Sequence, residues 1–347
     1  MATKIQLRQD TAANWNSANP VLASGEIGVD LTNKDFKVGD GSTSWKRLLG
    51  VQSEARIAEE LARGTYRGTN LEEKFADEIA TAGSVAAWLH ARCQAGNFEG
   101  IYPFDYFFDT TVAQTVDGTS VAGGQQRKCV IAGIDMYYNT GDSSPYMPHH
   151  LTIFAGLSTA NVLFNPSNNN NGSSYSNNPF LASKLNAVLN GVNNATTNNI
   201  GDVGFDGTGG CYLNTFSTAL KSIMVEQRVY MPKRYSADAT LTNHTGCEWL
   251  GRGTLFAPSE VEAYGDVVHS QNSALAQCEW EGYGPYCQWD IFKTAAGRLL
   301  FGRTSFWLSS VAGGGSTFAC SVSGHGYAHC NSTTNTYNRA PLCFHIA

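Results

Sequence analysis

Short apolar runs separated by turn residues open the chain. Ile5-Gln6-Leu7-Arg8, Asn19-Pro20-Val21-Leu22, Glu26-Ile27-Gly28-Val29-Asp30 and Phe36-Lys37-Val38-Gly39-Asp40-Gly41 read as strands, and residues 31–35 between the last two have the composition of a hairpin loop. So few strands bury little surface, so residues 1–50 are expected to form a small all-β module completed by other copies of itself. From residue 51 to 96 the period changes: Ile57, Leu61, Leu71, Phe75, Ile79, Val85, Trp88 and Leu89 fall at helical spacing. That pattern predicts a spacer of two or three helices, interrupted by Gly64-Thr65-Tyr66-Arg67-Gly68.

Across residues 97–347, aromatic and β-branched runs alternate with loops too long for a plain sandwich. Residues 161–200 carry fourteen asparagines, including the tract 168–171, and are expected to be a long surface insertion. Residues 212–226 read as a helix, and Pro258-Ser259-Glu260-Val261-Glu262 opens a shorter one with Ser259 as N-cap. The fold class expected is α+β.

Composition narrows the function. The 347 residues are 42% hydrophobic, enough for two or three domains with real cores. Charged residues make up only 15%, the net charge is −6, and no cluster of Lys or Arg occurs, so a nucleic-acid partner is not expected. No apolar run is long enough to span a bilayer, and the opening residues lack the apolar core of a secretory signal, so neither membrane insertion nor export by that route is expected. Nine cysteines are scattered without metal-ligand spacing. They read as small buried hydrophobes, with a late disulfide as the alternative.

Residues 309–338 contain no charged side chain and no Lys, Glu, Gln, Met or Trp; Ser, Thr, Gly, Asn, Ala, His and Tyr dominate. Such a mixture supplies adaptable hydrogen bonding and a few rigid amphipathic rings, the composition of antibody-like paratopes. This stretch is the first candidate for function.

Two resemblances sharpen the reading. Leu7-Arg8, Asn19-Pro20-Val21-Leu22, Gly25-Glu26-Ile27-Gly28-Val29 and residues 36–45 resemble the N-terminal module of phage tail-fibre proteins of the major tropism determinant type. That resemblance implies a homotrimer, β-prism-like in its first module, fixed to tail or baseplate proteins. Further along, Ala132-Gly133-Ile134-Asp135-Met136-Tyr137-Tyr138-Asn139, His149-His150-Leu151-Thr152-Ile153, Leu255-Phe256-Ala257-Pro258-Ser259-Glu260, Phe306-Trp307-Leu308 and Arg339-Ala340-Pro341 resemble retroelement-diversified variable proteins. Those have a C-type-lectin-like domain related in fold to formylglycine-generating enzymes. In that family the diversified codons carry mutable adenines and never reach Lys, Glu, Gln, Met or Trp, and residues 309–338 keep to that set.

The resemblance implies a fixed frame of Trp307, Leu308, Phe318, Val322, Gly326, Pro341, Leu342 and Phe344. The ligand-contacting positions it implies begin with Ser310, Val311, Gly313, Gly314, Ser316, Thr317, Ala319 and Ser321. They continue through Ser323, Gly324, His325, Tyr327 and His329 to Asn331, Thr333, Asn335 and Tyr337. The implied partner is a bacterial surface protein or glycan, and the implied location is the tail-fibre tip of a virion made in the host cytoplasm. An uncharged face gains little from long-range steering, so avidity of a trimer is part of the expected mechanism.

Other chemistry fits less well. His325 and His329 beside Cys330 suggest zinc, but they lie in a Gly- and Ser-rich stretch without a nearby carboxylate, so no metal or other cofactor is expected. The lectin words for calcium-dependent sugar binding are absent. The Gly-rich residues 201–210 include Asp202 and Asp206 but no cation, and would repel phosphate. His149 and His150 read as structural. An oxidase would use cysteines such as Cys320, Cys330 or Cys343, and a glycan-cleaving spike needs paired carboxylates, which residues 301–347 lack. No enzymatic role is expected; a virion decoration protein is the rival class.

Overall fold

The computed structural model describes residues 6–168, 178–191, 210–232, 247–270, 288–312 and 317–347. The tracts 169–171 and 201–209, Cys278, Cys287 and the candidates Gly313, Gly314 and Ser316 lie outside the described residues. The chain is α+β, and it divides into two units, Met1–Arg67 and Gly68–Ala347.

In the first unit, β1 (Arg8–Asp10) pairs parallel with β2 (Ile27–Asp30), which pairs antiparallel with β3 (Asp35–Val38). The hairpin turn between β2 and β3 is held by Asp30, whose carboxylate accepts from the amides of Thr32 and Asn33 at 2.9 and 3.1 Å. Helix α1 (Ala12–Ala18) crosses between β1 and β2, capped by Thr11. The module is therefore not all-β, as its pattern suggested. Trp15 is the one buried residue of α1, too few for a visible period, and it stacks on Trp45 at 4.0 Å over Leu22.

Alternation puts Arg8, Gly28 and Lys37 on the side of that tryptophan pair. Ile27, Val29, Phe36 and Leu7 therefore fall on the opposite side, where they line an apolar depression of about 450 Å³. Helix α2 (Val51–Ala62) joins this unit through Asp35, whose carboxylate accepts from the amides of Gln52 and Ser53 and from the Ser53 hydroxyl. Gly50 permits that approach: a Cβ there would lie 2.0 Å from Asp35 Oδ2.

In the second unit come α3 (Leu71–Lys74), α4 (Ala76–Ala82) and α5 (Val85–Gln94). Residues 51–96 thus hold four helices, shared between the two units. The main sheet has the order β14-β13-β12-β15-β8-β7-β4, with β9 also on β15. Its strands are β4 (Tyr106–Thr110), β7 (Gln126–Ile134), β8 (Leu151–Asn161), β9 (Met224–Val225), β12 (Phe306–Val311), β13 (Phe318–Val322), β14 (Ala328–Ser332) and β15 (Arg339–Ile346). Within it β12 and β15 run parallel and the other pairs antiparallel. Two hairpins stand apart, β5 (Gln114–Val116) with β6 (Thr119–Val121), and β10 (Arg228–Pro232) with β11 (Cys247–Gly251).

Two expectations fail here. Residues 161–200 are not wholly surface: α6 (Lys184–Asn190), capped by Ser183, buries Leu185, Val188 and Leu189, and Phe164 and Phe180 are buried too. Apolar residues at i, i+3 and i+4 outweigh the asparagines around them. Residues 212–226 are not one helix but a 3-10 turn (Tyr212–Thr215), α7 (Thr218–Lys221) and β9. The break falls where Ser217 starts a new cap and Arg127 lies 4.1 Å over the Phe216 ring while binding the Thr215 hydroxyl.

Behind the sheet, α8 (Glu260–Tyr264) begins at Ser259 in a reciprocal capping box with Glu262. Glu262 also takes a bidentate pair from Arg252 at 2.8 and 2.9 Å and a hydrogen bond from Tyr137 Oη at 2.5 Å. Gln227 carries the network from Arg252 to His345, which faces Thr152 on the neighbouring strand. Burial holds the imidazoles of His345 and His150 below the ordinary histidine range, so both are neutral packing groups. His149 bonds Asp135 at 2.6 Å and stacks on Tyr138.

Candidate ligand-binding groove

Strands β13 and β14 form a hairpin at the edge of the main sheet, in the register Ala319↔Asn331, Cys320↔Cys330, Ser321↔His329 and Val322↔Ala328. Its turn closes with the Ser323 amide donating to Tyr327 O at 3.0 Å and the Gly326 amide to Ser323 O at 2.8 Å. Gly326 sits at φ +83°, where a side chain would be strained, and its carbonyl accepts from Arg298 Nε at 2.7 Å. Ser305 fixes the same turn from the adjoining chain, accepting the Gly324 amide at 2.9 Å.

An open groove of about 410 Å³ lies along this hairpin. Gly324, His325, Tyr327, His329 and Asn331 form one wall, and Asn335, Tyr337 and Asn338 approach from the loop before β15. Tyr327 is 55% exposed and Tyr337 76%. His325 lies nearly parallel to Tyr327 at 5.9 Å between centroids, and His329 flanks the same ring. Asn331 is held by two bonds, donating to Ser321 Oγ at 2.9 Å and accepting from Asn335 Nδ2 at 3.3 Å.

Six of the positions expected to contact ligand are buried, and of these six only Ser323 lines the groove. Ser310 accepts the Glu260 amide and so fixes the start of α8, and Val311 and Ala319 pair across β12 and β13. Ser321 accepts from Asn331 Nδ2, and Ser323, at the groove, accepts the His325 amide within the turn. Thr333 ties its loop to Ser167 O and Thr317 O. These are short side chains on an inner strand or a tied loop, and larger neighbours cover them. Thr317 is half-buried and lies off the groove. Of the expected frame, Phe318 is 43% exposed rather than packed, while Trp307, Leu308, Val322, Gly326, Pro341, Leu342 and Phe344 are buried.

Three groove residues escaped the sequence reading. Arg303 and Ser305 precede the charge-free stretch, and Asn338 closes it; nothing in their spacing marks them. Asn338 is fully buried, yet its Nδ2 has no hydrogen-bond partner. Among the described residues no group of three or more His, Cys, Asp or Glu could hold a metal ion, and no helix is long and apolar enough to cross a membrane. Cys330 and Cys343 are free thiols, and burial pushes both above the ordinary cysteine range.

Residues 5–43 match the family model of the major tropism determinant N-terminal domain. The match supports a protein of the phage tropism-determinant type. It falls within the first unit and leaves the groove-bearing unit without a relative: no curated protein and no solved structure matches the chain.

Proposed function

We propose that this is a receptor-binding protein of a phage or prophage, carried at a tail-fibre tip, whose groove on the second unit binds a bacterial surface ligand. One observation carries the reading: His325, Tyr327, His329 and Tyr337, four of the six exposed residues described in the charge-free stretch, line a single groove, while its members on β12 and β13 are mostly buried in the adjoining sheet. A scaffold with that division can exchange contact residues without refolding. We take the second unit as C-type-lectin-like and the stretch as retroelement-diversified, on the words and composition set out above.

The first unit acts as the attachment and trimerisation module. Its support is the apolar sheet face of Leu7, Ile27, Val29 and Phe36, turned away from its own core, which a further copy would cover. The partners are two further copies of the chain, tail or baseplate proteins, and a surface protein or glycan. The role is not enzymatic: thiols held protonated by burial are poor nucleophiles, and no carboxylate lines the groove.

The test is phage carrying Tyr327→Ala with Tyr337→Ala. Assembled particles that no longer adsorb to host cells support the reading. Particles that fail to assemble point to a decoration protein, and unchanged adsorption removes the groove from recognition. Neighbouring DNA is an independent check, because diversification requires a reverse transcriptase gene and a near copy of the last coding segment differing at adenines.

A further inference from the structure

The lining of the groove says what kind of ligand fits it. Its side chains are amides, hydroxyls, imidazoles, two phenol rings and one guanidinium, with neither an aliphatic group nor a carboxylate among them. A protein partner is usually anchored by a side chain driven into a desolvated pocket, whereas this groove is open, with polar groups set around its two phenol rings. A sugar ring asks for something else: a flat ring against its C–H face and fixed polar groups around its hydroxyls.

We propose that the groove binds an acidic sugar unit of a surface polysaccharide, with the carboxylate or phosphate of that unit on Arg303. The proposal rests on the recognition reading above and names its ligand class. Tyr327 and Tyr337 both line the groove and are exposed, so their rings are available to a sugar. Asn331 is held in place by Ser321 and Asn335, so its amide meets a ligand already oriented. Asn338, fully buried at the groove, keeps an Nδ2 donor with no partner, and a buried donor without a partner is a group that gains from a ligand oxygen or the water it carries.

Arg303 decides the charge. It is exposed, it lines the groove, and no carboxylate among the described residues engages it. A planar guanidinium meets a carboxylate or phosphate with two parallel hydrogen bonds, which a neutral sugar cannot return. With no acidic side chain in the lining, nothing opposes an anion there. A volume of about 410 Å³ suits about one or two sugar rings, at the lower end of small-ligand sites.

The experiment uses the full chain against three immobilised oligosaccharides of equal length: one bearing glucuronate, one bearing a sugar phosphate, and one neutral. Binding of an acidic probe, weakened by salt and lowered about ten- to a hundred-fold by Arg303→Gln with an unchanged melting temperature, is the expected result. The glucuronate and phosphate arms tell which anion is taken. Equal binding of the neutral probe, or binding indifferent to Arg303→Gln and to salt, overturns the proposal. If no oligosaccharide binds while the protein still labels host cells through Tyr327 and Tyr337, the ligand class is wrong and the recognition role stands. If neither occurs, both fall.

Discussion

Replacing Glu262 by Gln removes one charge from the centre of the second unit while keeping the side chain's shape. Glu262 is fully buried, and so is its partner Arg252. Its two oxygens accept from Arg252 Nη1 and Nη2 at 2.8 and 2.9 Å, from Tyr137 Oη at 2.5 Å and from the Ser259 amide at 2.7 Å. Every one of those partners is a donor. A glutamine turns one accepting atom into a donor, so whichever way it flips, two donors meet inside the fold. Arg252 meanwhile keeps its charge, over the Phe256 ring at 3.5 Å and donating to Gln227 Oε1 at 2.9 Å.

Breaking one side of such a buried pair costs about 3–5 kcal/mol, and in a unit of this size each kcal/mol is worth about 2–4 °C. Scanning calorimetry of the full chain should therefore show the second unit melting about 6–20 °C lower. Adding Arg252→Met, which removes the orphaned charge, should return much of the loss. A fall of under about 2 °C for the single variant would show that the guanidinium does not depend on this carboxylate, and the account of the scaffold would be wrong.

Four further outcomes follow from the same geometry. Tyr337→Ala and Tyr327→Ala should each leave stability within about 0.5 kcal/mol yet weaken binding to host cells about tenfold or more; stability and binding falling together would mean the rings are structural. Ser321→Phe should lower the urea midpoint by an amount worth about 1–3 kcal/mol, because the residue is fully buried between neighbouring strands; an unchanged midpoint would mean that β13 is not closely packed there. His150 and His345 have folded pKa values below the ordinary 6.5, so the unfolded chain binds protons first, and stability should be full above about pH 6.5 and fall as pH drops toward the folded values. Up to about 2.7 kcal/mol per pH unit is at stake from the two together, and denaturation at pH 7.5 and 5.5 measures it. If the proposed trimer forms through the apolar sheet face, Val29→Asp there should shift the mass seen by light scattering toward monomer without unfolding the tryptophan core, and an unchanged mass would remove that face from the assembly.

Local chemistry was legible where it announces itself in sequence. The hairpin through residues 31–35, the break at 64–68 and the cap at Ser259 all rest on residues whose side chains or backbones act within a few positions. Tertiary effects were not legible. Helix α1 carries a single core residue, Trp15, and α6 hides its apolar stripe among asparagines, so neither has a composition that stands out. The groove was legible as a stretch and not as a surface: composition marks residues 309–338 as one class, whereas burial divides them by strand, and Arg303 reaches the groove from outside the stretch.

That division has a physical cause in the register. Partners across an antiparallel pair share a face, so Ala319 and Ser321 on β13 lie on the same side as Asn331 and His329 on β14. Strand β13 has neighbours on both edges and β14 has only one, so a larger side chain on β14 meets solvent where the same change on β13 meets packed strands. Positions 329 and 331 should therefore accept nearly any residue with the fold intact, and 319 and 321 only small ones. Saturation libraries at positions 321 and 329, sorted for folded protein alone, compare the two directly. Equal tolerance at both would mean that the two strands do not differ in packing, and the separation of frame from contact would lose its basis.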